Sequence, residues 1–129
     1  MAARKTAAPT TEASSSTGRL EETANSVRLV GRLSKDPEER ILPSGDAVWT
    51  FRVVVPRRPP GRTRQAVDAL ECAAWSGRAR RSVSRWSAGD LVEVSGELHR
   101  RFFRAGGGVA SRVEVEMTSG RVIRRAASG

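Results

Sequence analysis

Cysteine and histidine are almost absent from this sequence: Cys72 and His99 are the single examples of each. One cysteine excludes an intrachain disulfide, and no C-x-x-C or His cluster exists to hold a metal. His99 has no Ser or Cys partner at a motif spacing that would suggest nucleophilic chemistry. Asp36 and Glu38 are close together, but they flank Pro37 in a turn, where solvated carboxylates are the ordinary explanation. Tyrosine is missing, and Trp and Phe supply only three residues each. No apolar run approaches the roughly 20 residues of a transmembrane helix. There is no long basic amphipathic helix for a membrane surface, and no apolar h-region follows Arg4 and Lys5. These absences lead to the expectation of a cytoplasmic protein that is not an enzyme and carries no cofactor or metal.

Positive charge is present in excess. Among 129 residues, 23 Lys and Arg face 14 Asp and Glu, for a net charge of +9. Such a balance points to a polyanionic partner. The charge is concentrated where aromatics are also found. From Gly89 to Arg104 (GDLVEVSGELHRRFFR) the first half alternates, with Val92, Val94, Gly96 and Leu98 on one side and Leu91, Glu93, Ser95 and Glu97 on the other. Period two is the signature of a half-buried strand. The second half places Phe102 and Phe103 among His99, Arg100, Arg101 and Arg104. Rings that stack on bases, interleaved with cations that neutralise phosphates, make a single-strand nucleic-acid surface. A strand end with one core ring and solvated charges would read the same way, and alternation allows only one of the two Phe to face inward.

The remaining chain reads as a small β domain. Residues 1–24 are rich in Ala, Ser, Thr and Glu and are expected to form a disordered extension. Residues 25–118 are expected to fold, and 119–129 to form a short basic extension. Val27–Leu33 is a first strand in which Gly31 marks a bend or bulge. Turns at 35–38 and 43–46 precede Ala47–Val55, whose Trp49, Phe51, Val53 and Val55 alternate; Trp49 is read as a core or subunit-interface ring. Arg57, Arg58, Arg62 and Arg64 then lie in a Pro- and Gly-rich loop without acid, suited to sweeping along a phosphate backbone. Val67–Trp75 is a third strand. Ser76–Ser87 carries Ala79, Val83 and Trp86 at helical spacing, with Arg78, Arg80, Arg81 and Arg85 covering the other faces, so Trp86 is expected in the core. After Leu91–Arg104 and a glycine turn, Val113, Val115 and Met117 form the inner face of a last strand. Five strands with a helix between the third and fourth is the order of the OB-fold, an all-β Greek-key barrel.

The residues also resemble a known family. Asn25-x-Val27-x-Leu29-Val30-Gly31-Arg32-Leu33, Asp36-Pro37-Glu38-x-Arg40, Pro43-Ser44-Gly45, Asp68-x-x-x-Cys72-x-Ala74-Trp75 and Gly89-Asp90-x-Val92-x-Val94-x-Gly96-x-Leu98 resemble the bacterial single-stranded DNA-binding proteins. The resemblance implies an OB-fold, usually a homotetramer, that wraps single-stranded DNA without reading sequence in replication, recombination or repair. It also implies a nucleoid-associated location. Trp75 and Phe103 match the family's stacking aromatics, and Arg101 and Arg40 match basic residues. Arg100, Arg104, Arg57, Arg58, Arg62, Arg64 and Arg78 complete the expected DNA-binding set. Ala69 and Pro59 stand where the family often has further rings, so binding is expected to lean on charge. No acidic, apolar tip follows Arg124 and Arg125, so tail-mediated recruitment of replication enzymes is not expected. An assembly module of the primosome-accessory kind, or an RNA-leaning OB domain, is the alternative reading.

Overall fold

The computed structural model describes residues 22–58 and 66–127; residues 1–21 of the expected N-terminal extension, Pro59, Arg62 and Arg64 lie outside those residues. Six strands and one helix follow in the order β1 (Val27–Leu33), β2 (Glu38–Ile41), β3 (Ala47–Pro56), β4 (Val67–Ala74), α1 (Gly77–Val83), β5 (Leu91–Ala105) and β6 (Gly108–Arg124). Neighbours in the sheet run β1-β5-β6-β4-β3-β2, and β1 pairs with β3 as well. That second pairing closes β1, β3, β4, β6 and β5 into a five-stranded barrel, with β4 and β6 parallel and the other pairs antiparallel. This is the OB-fold order.

β2 was not expected. EERI carries no hydrophobic alternation, and all four of its residues are exposed. It exists because the Pro43–Asp46 turn folds it back on β3, where Arg40 pairs with Val48 and Ile41 with Ala47. Its place is outside the closed barrel.

Closure depends on the bend at Gly31. β1 pairs with β5 from Val27 to Arg32 and passes to β3 at Arg32 and Leu33. A Cβ on Gly31 would stand 2.3 Å from the Val54 carbonyl oxygen, so only glycine lets the strands approach here. Inside, Leu33, Phe51, Val53, Cys72, Ala74, Val92, Val94, Val115 and Met117 form the core, and Trp49 packs against it partly buried. α1 covers the barrel with Ala79 and Val83. The Ser76 hydroxyl accepts from the Ala79 amide at 3.1 Å and caps the helix. The helix ends at Val83 rather than Ser87, because a turn then carries Trp86 back into the core. There its ring meets Phe51 edge-on at 5.4 Å. Burial pushes the Cys72 thiol up to about 12, so it is an inert core group.

Val122 and Ile123, apolar residues able to extend the last strand, belong to it. β6 is continuous from Gly108 to Arg124, including residues 119–124 that were expected to begin a basic extension. What holds this end is Asp90, only 1% exposed. Its carboxylate accepts from the amides of Ser87 (2.9 Å) and Ala126 (2.8 Å) and from Arg125 Nη1 (3.0 Å). Burial alone would raise this carboxyl, but the Ala126 and Ser87 amides and the Arg125 guanidinium more than reverse it and hold it below the ordinary value. Asp90→Asn should therefore lower unfolding free energy at neutral pH by about 1.5–3 kcal/mol in urea titration. Because the folded-state pKa is depressed, wild type loses this contribution as pH falls below about 4, and the difference between the two proteins should shrink there.

Candidate nucleic-acid interface

The β5–β6 ladder does not stop at the barrel. Pairing continues through Arg101↔Arg112, Phe103↔Ala110 and Arg104↔Val109 to Ala105↔Gly108, closed by Gly106 and Gly107 with φ of 53° and 86°. Both glycines adopt the left-handed region that a two-residue hairpin turn needs. The result is a two-stranded arm. Phe102 is 69% exposed and Phe103 42%, so neither ring enters the core, and the alternative of one core ring does not hold. The reason is that the strand has outrun the barrel and has no interior to face.

Alternation nevertheless sorts the arm's residues. Leu98, Arg100, Phe102 and Arg104 continue the side of β5 that carries the buried Val92 and Val94. His99, Arg101 and Phe103 continue the outer side. On that outer side Arg101 meets Trp75, the residue that follows β4: the guanidinium carbon lies 4.7 Å from the indole centroid. Arg112 lies in the same way 5.5 Å from the Phe103 centroid. Both distances fall within cation–π range. Arg101 is fixed by Glu114, whose carboxylate is 8% exposed and accepts from Arg101 Nε at 2.7 Å. Trp75 has its indole N–H buried without a hydrogen bond among the described residues. Its carbonyl accepts from Arg80 Nη1 at 2.6 Å, which ties the ring's backbone to α1.

A groove of about 170 Å³ extends this face toward β2, with Lys35, Arg40, Arg52, Glu71, Arg112 and Glu114 among its lining. The structure thus brings Trp75, Phe103, Arg101 and Arg40 to one face. Arg100 and Arg104 are on the opposite side of the arm. Arg57 is not a free loop cation, since it donates to Asp68 at 2.8 and 3.1 Å. Arg58 is exposed beside it. Arg78 is exposed on α1, three residues after Trp75. His99, read from its neighbours as part of a basic surface, lies instead between Glu97 (3.2 Å) and Glu116 (3.4 Å). Arg112 was missed. Counting outward from the Gly106–Gly107 turn places it opposite Arg101, which is the signal that could have found it.

The match to known proteins follows this geometry. Residues 24–123 match the model of the single-strand binding protein family. The chain belongs to that family. Single-stranded DNA-binding protein 3 of Listeria innocua is 38% identical over 86 residues, covering 65% of this chain and 53% of that protein. Single-stranded DNA-binding protein A of Bacillus subtilis is 38% identical over 78 residues, 60% of this chain and 45% of that one. The chain therefore spans about half the length of the curated relatives it matches. The Plasmodium falciparum SSB complex with ssDNA superposes with a TM-score of 0.63 at 22% identity, covering 80% of this chain and 96% of that one, and shares its fold.

If Arg101 covers the indole as described, Arg101→Ala should raise acrylamide quenching of the tryptophan emission. Arg100→Ala, on the other side of the ribbon, should leave it unchanged.

Proposed function

We propose that this protein binds single-stranded DNA without reading its sequence, taking bases on Trp75 and Phe103 and phosphates on the arginines around them. The observation that carries this reading is that two aromatic rings, half-buried Trp75 after β4 and exposed Phe103 on β5, each lie under a guanidinium on the outer side of the sheet. Arg101 and Arg112 are also directly opposite each other on the ladder. Like charges at that spacing are destabilising. Glu114 offsets only Arg101, so an anion arriving at this face relieves a repulsion already present. Family membership supports the same reading. The Listeria and Bacillus relatives are single-stranded DNA-binding proteins.

The mechanism needs no chemical step. Exposed arginines attract the strand and release its counterions, which makes affinity depend on salt. Unpaired bases then stack on Trp75 and Phe103, and paired bases in a duplex cannot. The guanidiniums already lying on the rings have planar faces of their own, so a base can stack on the ring–arginine pair as well as on the ring. A role in replication, recombination or repair, and assembly as a homotetramer so that one strand crosses several subunits, complete the proposal. DNA-binding residues are Trp75, Phe103, Arg101, Arg112 and Arg40, with the loop arginines Arg58, Arg62 and Arg64 as auxiliary contacts.

Fluorescence titration with poly-dT, an equal-length duplex and poly-U at two salt concentrations tests this. Trp75→Ala and Phe103→Ala should each lose about 1–3 kcal/mol of binding to poly-dT. The logarithm of affinity should fall with that of salt by about 0.7 per phosphate neutralised. Equal affinity for duplex and single strand, or no loss in either ring variant, would overturn the reading.

A further inference from the structure

Arginines in this fold sort into those with a carboxylate and those without. Arg28 and Arg121 share Glu93, and Arg52 pairs with Glu71, Arg57 with Asp68, Arg101 with Glu114 and Arg125 with Asp90. Around α1 the pattern reverses. Arg78 and Arg81 are exposed on the helix, Arg85 is exposed in the turn after it, and no acid stands in the first turn. Among the described residues none of these three forms an ion pair. Like charges three residues apart on a helix repel. The fold has placed acids beside six other arginines and none beside these three.

A depression of about 310 Å³ lies against this helix, formed by Arg78 and Ser82 with Thr118, Ser119 and Gly120 of β6. The Thr118 hydroxyl donates to the Ser95 carbonyl at 3.1 Å, while one guanidinium and the hydroxyls of Ser82 and Ser119 line the depression without a carboxylate. It is separate from the ring face: Ser119 pairs with Ser95, and Ser95 lies six positions before Arg101 on β5, on the order of 20 Å at a strand's rise. Yet the two are joined through the chain, because Trp75 immediately precedes the Ser76 cap of α1. A strand leaving the indole meets Arg78 within three residues.

We propose that Arg78, Arg81 and Arg85, with the Ser82–Thr118–Ser119 depression, form a second phosphate-binding surface that takes the backbone of single-stranded DNA after it leaves the rings. This surface reads no bases, since it has no exposed ring. It therefore adds affinity only when the oligonucleotide is long enough to reach it. The inference rests on the single-strand reading above, and the two fail differently.

The test compares labelled dT oligomers of about 6 and about 30 nucleotides, lengths chosen around the span of one OB domain. Wild type, the triple variant R78A/R81A/R85A and Trp75→Ala are each titrated over a salt series by anisotropy. Alanine is the better helix former at these exposed sites, so the triple variant keeps its fold, and thermal unfolding checks that. The expected result is that the triple variant's salt slope on the long oligomer falls by about 2, three phosphates at 0.7 each, with a much smaller change on the short one. Trp75→Ala should weaken both lengths. An unchanged slope on the long oligomer overturns the second surface, as does an equal loss at both lengths. Binding of poly-glutamate that the triple variant abolishes, with the DNA slope intact, overturns it in favour of an acidic protein partner. Failure of Trp75→Ala to weaken either length would sink the ring reading and leave the slope comparison to decide the helix on its own.

Discussion

The continuous ladder between β5 and β6 sets both the core and the placement of the rings and guanidiniums on its outer side. Within the barrel it carries Val92, Val94, Val115 and Met117 into the core. Beyond the barrel the same pairing, held to its tip by two left-handed glycines, keeps Arg101, Phe103 and Arg112 on one outer side. A two-stranded ribbon alone is only marginally stable in water. Here one end is anchored in a closed barrel, so the outer end inherits a register it could not have set for itself. A slip by one residue would bury arginines and expose valines, which is why the core fixes the geometry of the rings.

Glu114 and Asp90 show two uses of a buried carboxylate. Asp90 faces two amides and one guanidinium, and its work is to close the chain: it joins the turn after α1 to the residues following β6. Glu114 sits on the outer side of β6 and holds a single arginine over an indole. Both satisfy the requirement that a buried charge have partners. Arg101 is pre-placed by its pair, and less side-chain freedom is left to lose when a ligand arrives.

Much of the fold could be read in the residues, because its determinants are local. Gly31 among β-formers indicated a bend, and the bend is where β1 changes partners. Ala79, Val83 and Trp86 at helical spacing indicated a capping helix, and all three are buried. What could not be read depended on distant pairing. β2 has no pattern of its own and is a strand only because a turn lays it on β3. Phe102 and Phe103 alternate as a half-buried strand does, but alternation says nothing about where the interior ends. The environment of His99 depends on Glu116, across the hairpin. Of the proposed site, Trp75, Arg101 and Phe103 were named through resemblance and through local composition. The guanidiniums stacked on the rings were not, because a sequence gives neighbours along the chain and this site is built from neighbours across it.

The distribution of acids is as informative as that of arginines. Glu71, Glu93, Glu114 and Asp90 are each committed to arginines of the barrel wall or its seams, which neutralises charge that would otherwise push adjacent strands apart. A protein carrying +9 cannot neutralise all of it this way. Among the described residues the uncompensated share includes Arg58, Arg100, Arg104 and Arg124, and two groups besides: Arg40 and Arg112 in the groove beside the rings, and Arg78, Arg81 and Arg85 around the helix. Both places adjoin Trp75, one across the sheet and one along the chain. Self-repulsion there is tolerable because the barrel core, not the surface, stabilises the fold, and it disappears when polyanion replaces the missing acids. The chain lacks rings at Ala69 and Pro59, and unpaired arginine on both sides of its remaining indole is the physical means by which charge can carry what stacking does not.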